Sequence, residues 1–293
     1  MFGILAVNKP VGLTSRDCVN RVQRLIRPHK VGHAGTLDPL ATGVLVLCIG
    51  RATRLVEFVQ QQEKHYRGTF QLGQSSTTED TQGELTVLSD PPIPSRDQLA
   101  AILPEFVGAI QQVPPIFSAL KVKGRRSYKL AREGKEVQLQ PRTIQIRHLQ
   151  IVSYEYPTLV LDIKCGSGTY VRSLGRDVAR RVGTEGVMSA LVRTSIGDYS
   201  LDSTCQLADI SLASLHSLMR PATTAVAHLP HLELDAREIE EVIHARPIPN
   251  VAEIEAEHIA ALDAEGNLLA ILTPYKQGFL KPQRNFTAAN KEN

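Results

Sequence analysis

A glycine- and proline-rich segment that leads into an unbroken apolar run limits most strongly how this chain can fold. Residues 32–39 contain two glycines and a proline, so we predict an irregular loop there. Residues 44–49 are all apolar and include β-branched side chains, which favours a buried strand. We therefore expect Asp38 to lie on a loop that a core strand anchors.

The other periodic segments mix strands and helices without a regular order. Residues 15–26 place apolar side chains at helical spacing, and Thr14 and Ser15 are candidate N-caps. We further predict strands at residues 4–7, 64–72, 144–154 and 159–165, and helices at residues 52–60, 95–107 and 170–182. A parallel sheet with crossover helices would need regular alternation. The pattern instead predicts an α+β fold, with a mixed, mostly antiparallel central sheet flanked by helices.

The chain is long enough for one large domain and one small domain, at 293 residues. A short joint at residues 227–230 contains a histidine and a proline. We predict a main domain at residues 1–228 and a small one at 231–282, with its own helix and short strands. Residues 283–293 are polar and lack periodicity, so we predict a disordered tail.

Composition excludes several classes of protein. No apolar run approaches the roughly 18 residues that a membrane span needs, and residues 1–9 lack the order of a signal peptide. The four cysteines form no C-x-x-C pair, which indicates neither a zinc site nor a disulfide framework. We expect a cytoplasmic protein that does not contact membranes and holds no metal.

Basic residues are clustered, although the formal net charge is only +3. Three basic stretches, near residues 16–30, 121–132 and 172–181, are candidates for one phosphate-binding face. The alternative is that each stretch is an ordinary solvated helix face, and charge alone does not separate the two. The candidates for contact with a nucleic-acid backbone are Arg16, Arg24, Lys121, Arg125, Arg126, Arg132 and Arg176.

Asp38 is the residue best placed for chemistry. Pro39 follows it, and Gly35 and Gly43 lie on either side, which restricts the backbone and permits close approach of a large ligand. The ordinary alternative is an aspartate that caps its own turn. The residue pattern alone leaves both interpretations open.

Longer segments around Asp38 match a known family. Residues 32–45, GHAGTLDPLATGVL, closely resemble the signature loop of the TruB family of pseudouridine synthases. The other segments that resemble this family are NKPVGLTS at residues 8–15, KHY at 64–66, PPIFSALK at 114–121, GTYVRSL at 168–174 and MSALVR at 188–193. On these motifs the chain is identified as a member of the family, in its bacterial form.

The resemblance implies an active site around Asp38. Asp38 would be the catalytic residue that breaks an N-glycosidic bond, by attack on the sugar, attack on the base or removal of a proton. Arg172 would be its ion-pair partner, the alternative being an arginine on a solvated helix. Tyr66 would stack on a flipped base or its ribose, although an isolated tyrosine more often belongs to the core.

Four further residues complete the site that the resemblance implies. His33 would enter the space left by the extruded nucleotide, and the alternative is a histidine that stabilises a turn. Leu191 would pack over the target uracil, and the alternative is an ordinary core leucine. Lys9 is expected to shape the site, whereas Lys64 is expected either to shape it or to take part in the chemistry.

The resemblance also implies a reaction and a fold. The expected reaction isomerises uridine to pseudouridine at position 55 in the T-loop of tRNA, with the base flipped into the enzyme. Such an isomerisation neither gains nor loses atoms, so no cofactor is expected. The implied architecture is the pseudouridine synthase fold with an RNA-clamping insertion at about residues 73–141 and a small PUA-like, β-rich C-terminal domain. We expect a monomer whose partner is the T-arm stem-loop of tRNA.

Two other functions fit parts of the sequence. A non-catalytic RNA-binding or tRNA-folding protein of the same fold would be expected to lack Asp38, Tyr66 or Arg172, and all three are present. A carboxylate-based glycoside or nucleoside hydrolase would need a second acid, such as Asp80 or Asp177, at a suitable separation from Asp38. Nothing in the sequence places either acid there.

Overall fold

The computed structural model describes residues 1–118, 120–122, 124–133 and 139–287. The strands are β1 (Phe2–Lys9), β2 (Val31–Ala34), β3 (Ala41–Gly50), β4 (Lys64–Leu72), β5 (Gln74–Ser76), β6 (Leu85–Val87), β7 (Gly108–Gln112), β8 (Lys121–Val122), β9 (Arg125–Arg126), β10 (Arg142–Glu155), β11 (Thr158–Cys165), β12 (Gly186–Ile196), β13 (Tyr199–Ser200), β14 (Cys205–Gln206), β15 (His231–Glu233), β16 (Ile248–Pro249), β17 (Ile259–Leu262), β18 (Leu268–Tyr275) and β19 (Phe279–Asn285). The helices are α1 (Ser15–Leu25), α2 (Val56–Gln61), α3 (Arg96–Ile102), α4 (Ser127–Arg132), α5 (Val171–Arg181), α6 (Leu212–Leu218) and α7 (Ala236–Ile243). Short 3-10 turns lie at Arg51–Leu55, Leu103–Phe106, Leu201–Ser203, Leu207–Asp209 and Ala222–Val226.

A large mixed sheet forms the centre of the molecule. Its strands follow the order β14-β1-β3-β12-β4-β11-β10-β7, with β2 added beside β3 and β13 beside β12. The β1–β14 and β3–β12 pairs are parallel, and the remaining pairs in this sheet are antiparallel. The predicted α+β fold with a mixed, mostly antiparallel sheet is therefore confirmed.

Local sequence explains the elements that carry the site. Helix α1 begins at a capping box, in which Thr14 Oγ1 accepts a hydrogen bond from Asp17 N and Asp17 accepts one from Thr14 N. Strand β4 alternates buried and half-exposed side chains, as a strand with one face on the core should. Both faces of strand β3 are buried, with Leu45, Leu47 and Ile49 in one core cluster and Val44, Val46 and Cys48 in another, which explains its unbroken apolar run.

Strand β2 corrects one expectation from the sequence. We predicted an irregular segment from residue 32 onward, but Val31–Ala34 pairs antiparallel with β3. The hydrogen bonds to β3 outweigh the low strand propensity of Gly32, which packs against the side chains of Thr53 and Val56. His33 therefore lies on a strand, and the loop that holds Asp38 is limited to residues 35–40.

A second, five-stranded sheet follows residue 230, in the order β15-β17-β18-β19-β16. The expected β-rich C-terminal unit is thus present, whereas its PUA-like character stays a prediction. It packs against the main sheet: the Phe2 and Phe286 rings stack with centroids 5.2 Å apart. Arg54 Nη1 also donates to the carbonyl of Asn285 at 2.8 Å.

The predicted disordered tail begins too early. Residues 283–285 continue strand β19, and Phe286 is only 3% exposed. The side chains of residues 283–285 are polar and do not predict a strand, but pairing with β18 stabilises this segment as part of β19. Residues 288–293 lie outside the described residues. Among the helices of the described ranges, none is both long and apolar enough to cross a membrane.

Candidate active site

A pocket of about 630 Å³ opens beside the Asp38 loop. Four of the residues predicted for the site line it, namely Asp38, Tyr66, Arg172 and Leu191. They come from the β2–β3 loop, strand β4, helix α5 and strand β12. The sheet order places β3, β12 and β4 side by side, so residues that are far apart in sequence meet at one place.

Buried side chains hold the Asp38 loop in position. The Lys9 ammonium is fully buried and donates to the carbonyl of Ala41 at 2.6 Å. Ser15 Oγ accepts from Leu37 N at 2.9 Å and donates to the Leu37 carbonyl at 3.1 Å. Burial lowers the pKa of Lys9. Through its hydrogen bond to Ala41, Lys9 shapes the loop. Lys9 does not line the pocket.

Arg172 connects the Asp38 carboxylate to the rest of the site. Its Nε lies 3.0 Å from Asp38 Oδ2, and its Nη1 lies 3.5 Å from Asp80 Oδ2. The guanidinium also donates to the carbonyls of Thr78 at 2.7 Å and Phe117 at 3.0 Å. The Arg172 side chain is only 8% exposed. These contacts fix one rigid planar cation between two carboxylates.

The charge of Asp38 depends on this cation. Burial is the main influence and raises the pKa of Asp38, whereas Arg172 lowers it. The neighbouring Asp80 raises the pKa further, and Lys9 opposes this. The Asp38 side chain remains 35% exposed, so a ligand in the pocket can reach it.

Tyr66 and Leu191 form apolar parts of the pocket wall. Tyr66 lies opposite Arg193 in the register of β4 and β12, and Leu191 lies opposite Gly68. Both Tyr66 and Leu191 are buried. Burial raises the pKa of the Tyr66 phenol, which keeps it protonated at neutral pH.

His33 and Lys64 do not line this pocket. His33 is half-buried on β2, and its pKa is lowered by burial and then by the nearby Arg16. Lys64 Nζ donates to the carbonyls of Gln60 and Gln62, which satisfies acceptors at the end of helix α2. Burial lowers the pKa of Lys64 to about 8. Lys64 is thus a helix-capping residue in this structure.

The basic candidates for backbone contact are placed differently from one another. Arg16 and Arg24 are exposed on α1. Arg125 is exposed and pairs with Glu133. For Lys121, Arg126 and Arg132 the side chains lie outside what the structure describes.

The position of Arg176 contradicts the expectation that it contacts a nucleic-acid backbone. Its side chain is only 13% exposed, and it pairs with Glu79 and with Asp177, the latter at 2.8 Å. Its Nη2 also donates to the Val113 carbonyl at 3.2 Å. With its donors directed at these internal partners, Arg176 joins α5 to the segments that contain Glu79 and Val113 and is not placed to bind phosphate. Asp177 is held in the same pair and does not line the pocket.

Asp80 and Arg193 are two site residues to which sequence reasoning gave no role in the expected reaction. Asp80 is buried, lines the pocket and meets β12 through a bridge to Met188. Arg193 is 1% exposed and donates to the carbonyls of Gly35 and Val44, on either side of Asp38. One signal was available for Arg193: it lies two residues after Leu191, and alternate residues of a strand share a face.

The residues do not suggest a bound metal. Within the described ranges, no group of three or more histidine, cysteine, aspartate or glutamate side chains could hold a metal ion. The pocket combines the reachable Asp38 carboxylate, the buried Asp80 carboxylate, one arginine, the phenols of Tyr66 and Tyr170, and apolar side chains. Such a site can bind a flat polar ring and act on it with Asp38 as base or nucleophile.

Comparison with solved structures supports the fold. Two structures share the fold: an H/ACA RNP bound to a substrate RNA containing 2'-deoxyuridine has a TM-score of 0.75 at 21% identity, covering 99% of this chain and 86% of that one. An archaeal box H/ACA sRNP Nop10-Cbf5 complex has a TM-score of 0.74 at 21% identity, covering 98% and 87%. This likeness shows that the chain has the same fold as these two proteins.

Sequence comparison is more specific. The family described as TruB family pseudouridylate synthase (N terminal domain) matches residues 23–171. A tRNA pseudouridine synthase B of Dehalococcoides mccartyi (strain CBDB1) is 37% identical over 290 residues, covering 98% of this chain and 97% of the relative. Another, from Rhodopirellula baltica, is 41% identical over 253 residues, covering 81% and 73%. The chain belongs to the TruB family of pseudouridylate synthases.

Proposed function

We propose that this protein converts uridine to pseudouridine at position 55 in the T-loop of tRNA, with Asp38 as the catalytic residue. The observation that carries the proposal is the Asp38 carboxylate, which Arg172 holds at 3.0 Å in a pocket walled by Tyr66 and Leu191. The relatives named tRNA pseudouridine synthase B support tRNA as the substrate.

The pocket suits a nucleoside that has left its stack. Its volume of about 630 Å³ lies within the usual range for small-molecule sites. A flipped uracil would contact the Tyr66 ring on one side and the Leu191 side chain on another, which offsets the cost of unstacking. Asp38 would then face the bond between base and ribose.

The reaction detaches uracil at N1, turns the ring and rejoins it to ribose through C5. The hydrogen on C5 leaves as a proton, and N1 gains one, so the product is an isomer of the substrate. Asp38 acts in its charged form, as nucleophile or as base, and Arg172 stabilises that charge. Tyr66 supplies a hydroxyl at the reacting centre.

We assign tRNA binding to the surface that adjoins the pocket. Thr14, the N-cap of α1, lines the pocket, and Arg16 and Arg24 are exposed on that helix. These arginines would follow the phosphates of the T-arm. By family resemblance, the insertion at about residues 73–141 and the PUA-like unit at 231–282 add RNA contacts. All residues that line the pocket come from one chain, so we propose that the enzyme acts as a monomer. The relatives named tRNA pseudouridine synthase B support a cytoplasmic location.

Primer extension after carbodiimide treatment tests the substrate and the position together. The wild-type protein is incubated with an unmodified tRNA transcript and with a matched transcript that has cytidine at position 55. We expect a stop at position 55 in the first RNA only. A stop at another site would show that the enzyme modifies a different uridine. Release of free uracil would indicate a hydrolase. Tight binding without any stop would favour a non-catalytic RNA-binding protein.

A further inference from the structure

Glu79 is a buried carboxylate that the proposed reaction does not use. Its side chain is only 13% exposed, and it does not line the pocket. Burying a charged group is costly unless it is paired and hydrogen-bonded. The partners of Glu79 therefore indicate what this carboxylate does.

Both partners of the Glu79 side chain lie on helix α5. Ser173 Oγ donates to Glu79 Oε2 at 2.6 Å, and Arg176 Nη1 donates to Glu79 Oε1. Ser173 and Arg176 are three residues apart and so share one face of the helix. Each carboxylate oxygen of Glu79 thus has its own donor, and both donors belong to the same rigid element.

The residues on either side of Glu79 both contact Arg172. The Thr78 carbonyl accepts from Arg172 Nη1 at 2.7 Å, and Asp80 Oδ2 lies 3.5 Å from the same nitrogen. Arg172 Nε in turn lies 3.0 Å from Asp38 Oδ2. The Glu79 side chain therefore holds against α5 the short segment that helps to orient Arg172.

The backbone at Glu79 is strained, which indicates a constraint on this segment. Its φ is 63°, in the left-handed region that L-residues with long side chains rarely adopt. Strand β12 holds the main chain there: Met188 N donates to the Glu79 carbonyl at 3.0 Å, and Thr81 N donates to the Met188 carbonyl at 3.1 Å. Such a conformation persists only where surrounding contacts impose it, and it is common at functional sites.

We propose that Glu79 is a positioning residue, whose contacts with Ser173 and Arg176 lock residues 78–80 against α5 and so keep Arg172 aligned with Asp38. The proposal rests on the proposed function, in which Asp38 acts on the nucleoside. Glu79 acts through Arg172 and does not touch the substrate. Loss of its contacts should therefore slow the reaction without weakening RNA binding.

Glu185 provides a matched control. It is also a carboxylate that pairs with an arginine of α5, since Arg180 Nε lies 3.0 Å from both of its oxygens. This pair is more exposed, and Glu185 does not line the pocket. A general loosening of α5 would follow from loss of either carboxylate, whereas an effect through Arg172 would belong to Glu79.

Single-turnover rates on tRNA test the proposal. Glu79→Met removes both contacts, and we expect it to slow the reaction about tenfold, because small misplacements of catalytic groups have large effects on rate. Glu79→Gln keeps the shape and some hydrogen-bonding capacity but not the charge, so its loss should be smaller, about fourfold. Glu185→Met should stay within about twofold of the wild type.

Binding and folding are measured for the same variants. The Kd for tRNA should change by less than about threefold in each, since the phosphate contacts remain. Thermal unfolding shows whether each variant is folded, and if Glu79→Met is not, the Glu79→Gln rate decides. A wild-type rate in the folded Glu79 variant, or an equal loss in Glu185→Met, would overturn the proposal.

A double-mutant cycle attributes the loss to the contact with Arg176. Rates are measured for Glu79→Met in the wild-type and the Arg176→Met backgrounds. We expect the loss to shrink to less than about threefold where Arg176 is already absent. If Arg176→Met does not fold, Arg176→Lys replaces it, because lysine keeps the charge but not the planar arrangement of donors. Losses of equal size in both backgrounds would refute this contact as the cause.

Hydrogen exchange without substrate keeps this inference separate from the proposed function. The amides of Thr81 and Met188 report on the segment, because they form its hydrogen bonds with β12. We expect Glu79→Met to speed their exchange about tenfold and Glu185→Met to leave it unchanged. Unchanged exchange in Glu79→Met would refute the anchoring role. If the wild type forms no pseudouridine but exchange is faster in Glu79→Met, the proposed function fails while the anchor stands.

Discussion

Replacing Arg172 with methionine should slow catalysis in a pH-dependent way. The substitution removes the cation that lies 3.0 Å from Asp38 and 3.5 Å from Asp80, while both carboxylates remain. It also leaves the carbonyls of Thr78 and Phe117 without a donor. The charged form of Asp38 then loses its main stabilising partner.

The size of the effect follows from the strength of such contacts. A hydrogen bond to a charged group contributes about 1.5–3 kcal/mol net. The Asp38 side chain is 35% exposed, so solvent screening favours the lower part of this range. A loss of about 2 kcal/mol corresponds to a rate about 30-fold lower. Arg172→Lys should lose less, because it keeps the charge but not the planar arrangement of donors.

The direction of the pH dependence is fixed by the same contacts. Burial already raises the pKa of Asp38, and Arg172 opposes this, so removing Arg172 raises the pKa further. The rate requires the charged carboxylate and falls as the pH drops through that pKa. The acid limb of the single-turnover rate should therefore move to higher pH.

Single-turnover pseudouridine formation, measured from about pH 5 to pH 9, checks both the size and the direction. Arg180→Met is the matched control: Arg180 lies on the same helix, is exposed and pairs with Glu185 at the surface. We expect wild-type behaviour from this control, since exposed pairs contribute little. If Arg172→Met shows a rate within twofold of the wild type and an unchanged acid limb, the role assigned to Arg172 is wrong.

Two further predictions concern stability and RNA affinity. Asp38→Asn should raise the free energy of unfolding at pH 7. Folding raises the pKa of Asp38, so the charged aspartate makes the protein less stable as the pH rises from the ordinary aspartate pKa through the raised one, and asparagine removes this loss. In urea titrations the gain should shrink toward pH 4, and a gain that is absent at pH 7 would contradict the buried environment of Asp38. Replacing both Arg16 and Arg24 with alanine should weaken tRNA binding and reduce the slope of log affinity against log salt by about 2. Arg181→Ala, which removes a surface pair with Glu105, should leave the slope unchanged.

Local periodicity was sufficient to predict much of the fold. Strand β4 runs over the predicted residues, Lys64–Leu72, because its side chains alternate between the core and the other face of the sheet. Helix α1 was predictable from its capping residues and apolar stripe. Strand β2 was missed because glycine and histidine have little strand propensity, and only pairing with β3 makes this segment extended.

The site was harder to predict, because buried charge leaves no periodic signal. Arg172 was assigned only through the family motif, since 134 residues separate it from Asp38. Arg176 follows Arg172 by four residues and so shares its helix face. That spacing places Arg176 toward the interior, yet we interpreted it as a phosphate ligand. Arg193 looked like an ordinary strand residue, and only tertiary contacts show that it is buried.

The role of Asp38 is the central claim and is tested most directly by tritium release from tRNA labelled at C5 of uridine. Forming the new bond to C5 expels that hydrogen, so release reports the reaction itself. Wild type and Asp38→Asn are compared at enzyme concentrations above the Kd of each, with tRNA binding measured in parallel. We predict release by the wild type and none by Asp38→Asn, with affinities within about tenfold because phosphate contacts dominate binding. Release by Asp38→Asn at the wild-type rate would contradict the assignment of Asp38 as the catalytic residue.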